Sequence, residues 1–144
     1  MDKITITFDL TSSDYAAALG FEVLLDDVSL LSIDHVKKPT PVSLEILDND
    51  GEHEFKFVMK HKTTEHTVVD DNGNITKDAM LSIANIAFDD IKLGQVFVDQ
   101  AVYHHSFNGS QAPIEDKFYG DMGCNGHVSL GFTTPFYLWL LENM

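Results

Sequence analysis

Apolar and polar residues alternate from the start of the chain. Ile4, Ile6, Phe8 and Leu10 fall on one side, and Thr5, Thr7 and Asp9 on the other. A period of two rich in β-branched residues predicts a strand with one buried face. The same alternation returns at Val42, Leu44 and Ile46 and at Phe55, Phe57 and Met59. The segments 21–25 and 28–33 flank Asp26-Asp27, which predicts a tight hairpin. Pro39 and Pro41 mark a break, and residues 14–20 read as a loop or a single helical turn. Strands over 80–88 and 91–98 surround Asp89-Asp90. Further strands are expected over 101–107 and 128–132, with a polar, glycine-bearing loop over 108–126 between them.

The last run, Phe136-Tyr137-Leu138-Trp139-Leu140-Leu141, is apolar in every position. Read as a strand it must be covered on both faces, either in the core or against another subunit. Its periodicity does not distinguish a strand from a final helical turn.

About ten short strands, with turn signals roughly every 8–12 residues, predict an all-β fold. The expectation is a two-sheet antiparallel β-sandwich, jelly-roll-like, with little helix. The 144 residues fit a single domain spanning 1–144, large enough to bury a core without disulfide or metal. The lone Cys124 excludes an internal disulfide.

Charge narrows the function. Nine basic residues, all lysine, face 23 acidic ones, a formal net charge of -14. Without arginine or a basic face, nucleic-acid binding is not expected. The same charge opposes anionic membranes, and no apolar run is long enough to span a bilayer. Met1-Asp2-Lys3-Ile4 enters a strand without signal-peptide layout. The expectation is a soluble protein made in the cytosol, with any extracellular life arising by assembly or lysis.

Calcium is the metal best suited to an acidic chain, because it takes several oxygen ligands from flexible loops. Asp70, Asp71, Asn74 and Asp78 form one candidate set around Gly73, and Asp48 and Asp50 a second. The same residues are ordinary turn formers. The histidines offer an alternative metal set, His66, His104 and His127, if separate strands bring them together. His104 and His105 are adjacent and so point to opposite faces of a strand. No nucleophile elbow, Cys/His zinc spacing or phosphate-binding glycine pattern is present. Cys124 sits in a glycine-rich loop with His127 as its one nearby activating group, so a small structural residue is the simpler reading. Tyr103, Tyr119 and Asp90 are candidate ligand contacts, because flat rings stack on sugars and carboxylates accept from hydroxyls.

Two stretches carry a resemblance. FEVLLDDVSLL (21–31) resembles the strand–turn–strand hairpin of calcium-dependent xylan-binding and related carbohydrate-binding modules, and ANIAFDDIKL (84–93) resembles the strand and turn near their binding face. The chain departs from those modules in lacking a loop tryptophan and the bridging cysteines that some carry. Separately, residues 66–91 and 118–144 are similar to uncharacterised proteins of marine tailed phages. The first resemblance implies a β-sandwich that binds carbohydrate for attachment, without catalysis, with calcium as an optional ion and no required cofactor. The second implies a structural virion protein whose partners are its own copies or other virion proteins. A histidine-based metal enzyme is the third alternative.

Overall fold

In β1 (Lys3–Ser12) the alternation becomes sidedness: Ile4, Ile6, Phe8 and Leu10 are each 2% exposed or less. The computed structural model describes residues 3–47, 51–61, 67–105, 114–118, 120–123 and 125–143. After β1 come β2 (Gly20–Leu25), β3 (Val28–Ile33), β4 (Thr40–Leu47), β5 (Gly51–Lys60), β6 (Thr67–Val69), β7 (Ile75–Asp78), β8 (Leu81–Phe88) and β9 (Ile91–Lys92). Then follow α1 (Gln95–Gln100), β10 (Val102–His105), β11 (Ile114–Lys117), β12 (Asp121–Met122), β13 (Gly126–Thr134) and α2 (Phe136–Asn143). The smaller main sheet runs β12-β8-β1-β4, with β9 on β8, and the larger runs β11-β10-β13-β5-β2-β3. Every pairing in both is antiparallel, and β6 and β7 form a separate hairpin.

Aromatic rings join the two sheets into a sandwich. Phe8 of the smaller sheet meets Phe21 and Phe57 of the larger edge-on, at 6.0 and 5.6 Å between ring centroids. Phe88 meets Phe55 and Phe132 in the same way. Such pairs add about 0.5–1.5 kcal/mol each beyond the area they bury. The fold is therefore the all-β sandwich that the alternation predicts.

The two Asp-Asp turns share one construction. Asp26 and Asp27 have φ of 49° and 66°, and Asp89 and Asp90 have 50° and 67°. Both positions in the left-handed region define the hairpin turn whose twist suits antiparallel strands, and Asp tolerates that region well. The first Asp of each turn also binds a third strand. The Asp26 N–H donates to the Glu54 carbonyl at 3.0 Å, and its Oδ1 accepts from the Glu54 N–H at 2.9 Å. The Asp89 N–H donates to the Thr5 carbonyl, and its Oδ1 accepts from the Thr5 N–H, both at 2.8 Å. Each turn thus adds a rung to β5 or β1 that the pleated ladder alone would lack.

Three sequence expectations are corrected. The terminal run is a helix, α2, not a strand. Pro135 precedes it, and its carbonyl accepts from the N–H groups of Leu138 and Trp139. Phe136, Trp139 and Leu140, at helical spacing, are buried, while Tyr137, Leu138 and Leu141 are exposed. Phe136 stacks on Phe88 at 4.2 Å and lies edge-on to Phe132, so α2 plugs one end between the sheets. The strand expected over 91–98 stops at Lys92; Gly94 turns the chain at φ +52°, and α1 follows with Val96 and Phe97 buried. The loop expected over 108–126 contains β11 and β12. β11 is an edge strand with every residue exposed, and its Glu-Asp-Lys sequence suits an edge that must not pair further. Among the described residues, no helix is long and apolar enough to cross a membrane.

Candidate ligand-binding face

The outer face of the smaller sheet is built from short polar side chains. Cross-strand register places Ser43, Thr7 and Ala87 in one row, and Pro41, Asp9 and Ala84 in the next. Between Thr7 and Asp9 the pairing of β1 with β8 slips, so that β8 carries one extra residue there. Asn85 sits in this bulge at φ +57°. A bulge re-aims side chains, and asparagine is among the few non-glycine residues that hold a left-handed backbone at modest cost. The Asn85 Nδ2 donates to Asp9 Oδ2 at 2.9 Å across 76 residues of sequence. Both side chains are exposed.

Depressions lie on either side of Asn85. One, of about 490 Å³, is lined by Thr7, Asp9, Pro41, Ser43 and Asn85. The other, of about 220 Å³, lies between β8 and α1 and is lined by Asn85, Ile83, Ile86, Lys92 and Val98. The first offers hydroxyls, a carboxylate and a carboxamide; the second is mostly apolar, with Lys92 and Asn85 among its lining residues. Neither Asp9 nor Asn85 stood out in the sequence. Asp9 occupies an ordinary outward position of β1, Asn85 shares the parity of the inward Leu81 and Ile83, and the bulge brings the two together.

The sequence candidates are distributed as follows. Asp70 closes its own turn: Oδ1 accepts from the N–H groups of Asn72 and Asn74, both at 2.9 Å. Those bonds, led by that from Asn74, hold its carboxyl below the usual value. Asp71 and Asn74 are exposed beside it, whereas Asp78 pairs with Thr67 at the opposite end of the β6–β7 hairpin. Among the described residues no group of three or more His, Cys, Asp or Glu is placed to hold a metal ion. Asp48, Asp50, His66, Cys124 and Tyr119 lie outside the described residues. Tyr103 is buried on β10, its ring beside Phe118 and His105. Asp90 is exposed at the second position of its turn.

His104 and His127 do meet. They are cross-strand partners on β10 and β13 with rings stacked at 4.5 Å. His104 Nε2 lies 3.0 Å from Ser129 Oγ, and its Nδ1 lies 3.5 Å from Glu115. His105, one residue on, turns to the core face and reaches Asp116 at 2.8 Å, as adjacent strand positions require. Partial burial lowers the affinity of His127 for a proton, and the nearby His104 and Lys56 lower it further against an opposing pull from Glu54. The folded state then binds this proton less readily than the unfolded state. The resulting stability is present above the ordinary value of 6.5 and is lost as pH falls through the folded-state value. The thermal midpoint is expected to fall on acidification from neutrality to about pH 5, and His127→Asn should flatten that slope.

No protein-family model matches the chain, and no curated protein matches it. Among solved structures, two match. One is the selenomethionine form of vCBM60, from work in which circular permutation links two families of calcium-dependent carbohydrate-binding modules. Its TM-score is 0.57 at 11% identity, with 89% of this chain and 90% of that chain covered. The other is vCBM60 in complex with galactobiose, with a TM-score of 0.53 at 10% identity, covering 88% of this chain and 97% of that one. The resemblance carried by the Asp-Asp hairpins therefore holds at the level of the fold. At this identity the likeness is one of backbone, and a site must be argued from this chain's own side chains.

Proposed function

We propose that the protein is a non-catalytic carbohydrate-binding module whose ligand lies on the outer face of the smaller sheet. The observation that carries this reading is the exposed Asp9–Asn85 pair in the bulge. Sugars present neighbouring hydroxyls that each donate and accept. A carboxylate beside a carboxamide supplies acceptors and donors in a fixed plane for such a pair. Thr7 and Ser43 add hydroxyls, and Pro41 adds an apolar surface for ring carbons. The net charge of -14 favours neutral glycans over anionic ones at low salt. Calcium is an optional ion in this reading: Asp70 and Asp71 are exposed carboxylates, and no described group of three closes a site around them.

Titration against neutral glycans tests the reading. Asn85→Gly suits the left-handed backbone while removing the carboxamide. Asn85→Gly and Asp9→Ala are each expected to weaken binding about tenfold or more, or about 1.4 kcal/mol, with little change in thermal midpoint. Binding that both variants retain in full would sink this site. Repeating the titration with calcium and with chelator reads the role of the ion.

One observation favours a second reading, self-association or contact with virion proteins. On α2, Tyr137, Leu138 and Leu141 are 46%, 58% and 70% exposed. If this face joins copies, sedimentation shows a dimer that Leu138→Asp dissolves. Trp139 is buried within the chain itself, so the aromatic core of the terminal run needs no neighbour.

A further inference from the structure

We infer that β3 is a docking edge for a second copy of the chain, and that two copies pair through it antiparallel about a two-fold axis. Among the described residues β3 pairs with β2 alone and ends the larger sheet, so the backbone groups along its outer side have no ladder partner there. Such an edge is a template for another strand unless charge, proline or cover blocks it. The other edges of the two main sheets are blocked. β11 carries Glu115, Asp116 and Lys117, and β4 carries Pro41 and Glu45. The far edge of β8 is taken by β9 and β12, of two residues each, with Lys92 and Asp121. Among these edges β3 alone, Val28-Ser29-Leu30-Leu31-Ser32-Ile33, has six residues without charge or proline.

The side chains fit the same partner. Val28 and Leu30 are exposed, and Leu31 and Ile33, which pack against the core, are only half-buried. A neighbouring strand covers all four. Leu30 is the extra residue where the pairing with β2 slips, so the contact divides into the regular segments on either side of it. Charge argues for a second copy as that strand. At a formal -14 each, two copies repel over most of their surface, and an uncharged edge on each is where they can meet. Antiparallel pairing is self-complementary about a two-fold axis, so it closes at a dimer. That axis stands perpendicular to the sheet and keeps both smaller sheets on one side of the joined larger sheets. On the carbohydrate reading, the two Asp9–Asn85 faces then point the same way and engage one glycan-bearing surface together.

Sedimentation of the full chain over a range of concentration and salt tests this. A dimer is expected that strengthens as salt screens the like charges. Ser32→Lys puts a cation on the edge while bringing the net charge closer to zero, so by net charge alone it would favour association. It is expected instead to weaken the dimer about tenfold or more, because a charge on an edge strand opposes pairing. Leu30→Lys should do the same, with an unchanged circular dichroism spectrum in both variants, and Leu138→Asp on α2 should leave the dimer intact. A monomer at every concentration and salt, or a dimer that keeps its strength in both lysine variants, overturns the inference. So does a dimer lost in Leu138→Asp alone, which places the contact on α2. None of these outcomes depends on a glycan, so the edge stands or falls apart from the carbohydrate reading.

Discussion

Phe57→Ala is expected to destabilise the protein by about 3–5 kcal/mol, the usual cost of removing a buried aromatic ring from a core. Phe57 lies on β5, between β13 and β2 in the larger sheet, and is fully buried. Its ring is edge-on to Phe8 of the opposite sheet at 5.6 Å, edge-on to Phe97 of α1 at 6.2 Å, and stacked with Phe55 at 5.7 Å. Truncation therefore loosens three contacts that join both sheets and α1, and close packing gives the neighbours little freedom to fill the gap. Domains of this kind are stable by about 5–15 kcal/mol, so the variant loses a large share of the total. Urea unfolding measures it, as a midpoint that falls sharply with an unchanged slope. Phe57→Leu keeps part of the volume and should fall between the two. A midpoint unmoved in the alanine variant would mean that the rings do not form one cooperative core.

The core was legible where one face of a strand is wet. β1, β4 and β5 alternate because their outward residues face water, and the inward sets Ile4–Leu10 and Phe55–Met59 are buried as the period requires. The pattern failed where outward positions are also apolar. In α2 the buried residues keep helical spacing, but exposed Tyr137, Leu138 and Leu141 erase the contrast that would show it. α1 has only six residues, too few for a period to be counted. β11 was missed for the opposite reason: an edge strand with four exposed residues has no apolar face to read.

The candidate site was less legible than the fold, and the cause is geometric. Asp9 looks like any outward residue of β1, and Asn85 stands where the alternation of Leu81 and Ile83 would place an inward apolar residue. Their meeting depends on one extra residue in β8, whose trace in the sequence is the switch of apolar positions from Leu81 and Ile83 to Ile86 and Phe88, and on a positive φ, which leaves no trace. His104 and His127 meet through strand register, which hydrophobic pattern leaves open when the intervening loops are long. The Asp-Asp turns, by contrast, were conspicuous, because a left-handed pair of residues restricts composition strongly.

That restriction makes Asp89 the second position of large expected effect. Asp89→Ala is expected to cost about 2–5 kcal/mol, from two separate sources. A left-handed backbone at φ 50° costs alanine about 1–2 kcal/mol that aspartate largely avoids. The Thr5 N–H, a partly buried donor, also loses its acceptor at a cost of about 1–3 kcal/mol. The Tyr137 hydroxyl, which donates to Asp89 Oδ2 at 3.0 Å, loses that partner too, so the change reaches α2. Two controls separate the sources. Asp89→Gly relieves the backbone but not the donor, and Asp89→Asn preserves both the backbone preference and a side-chain oxygen for Thr5. Thermal unfolding should therefore rank the variants wild type, Asn, Gly, Ala in falling stability. If Gly matches Asn, the turn matters only for its backbone and the rung to β1 contributes nothing. If Gly matches Ala, the hydrogen bond to Thr5 carries the effect, and the equivalent bond from Glu54 to Asp26 should behave alike when Asp26 is changed in the same series.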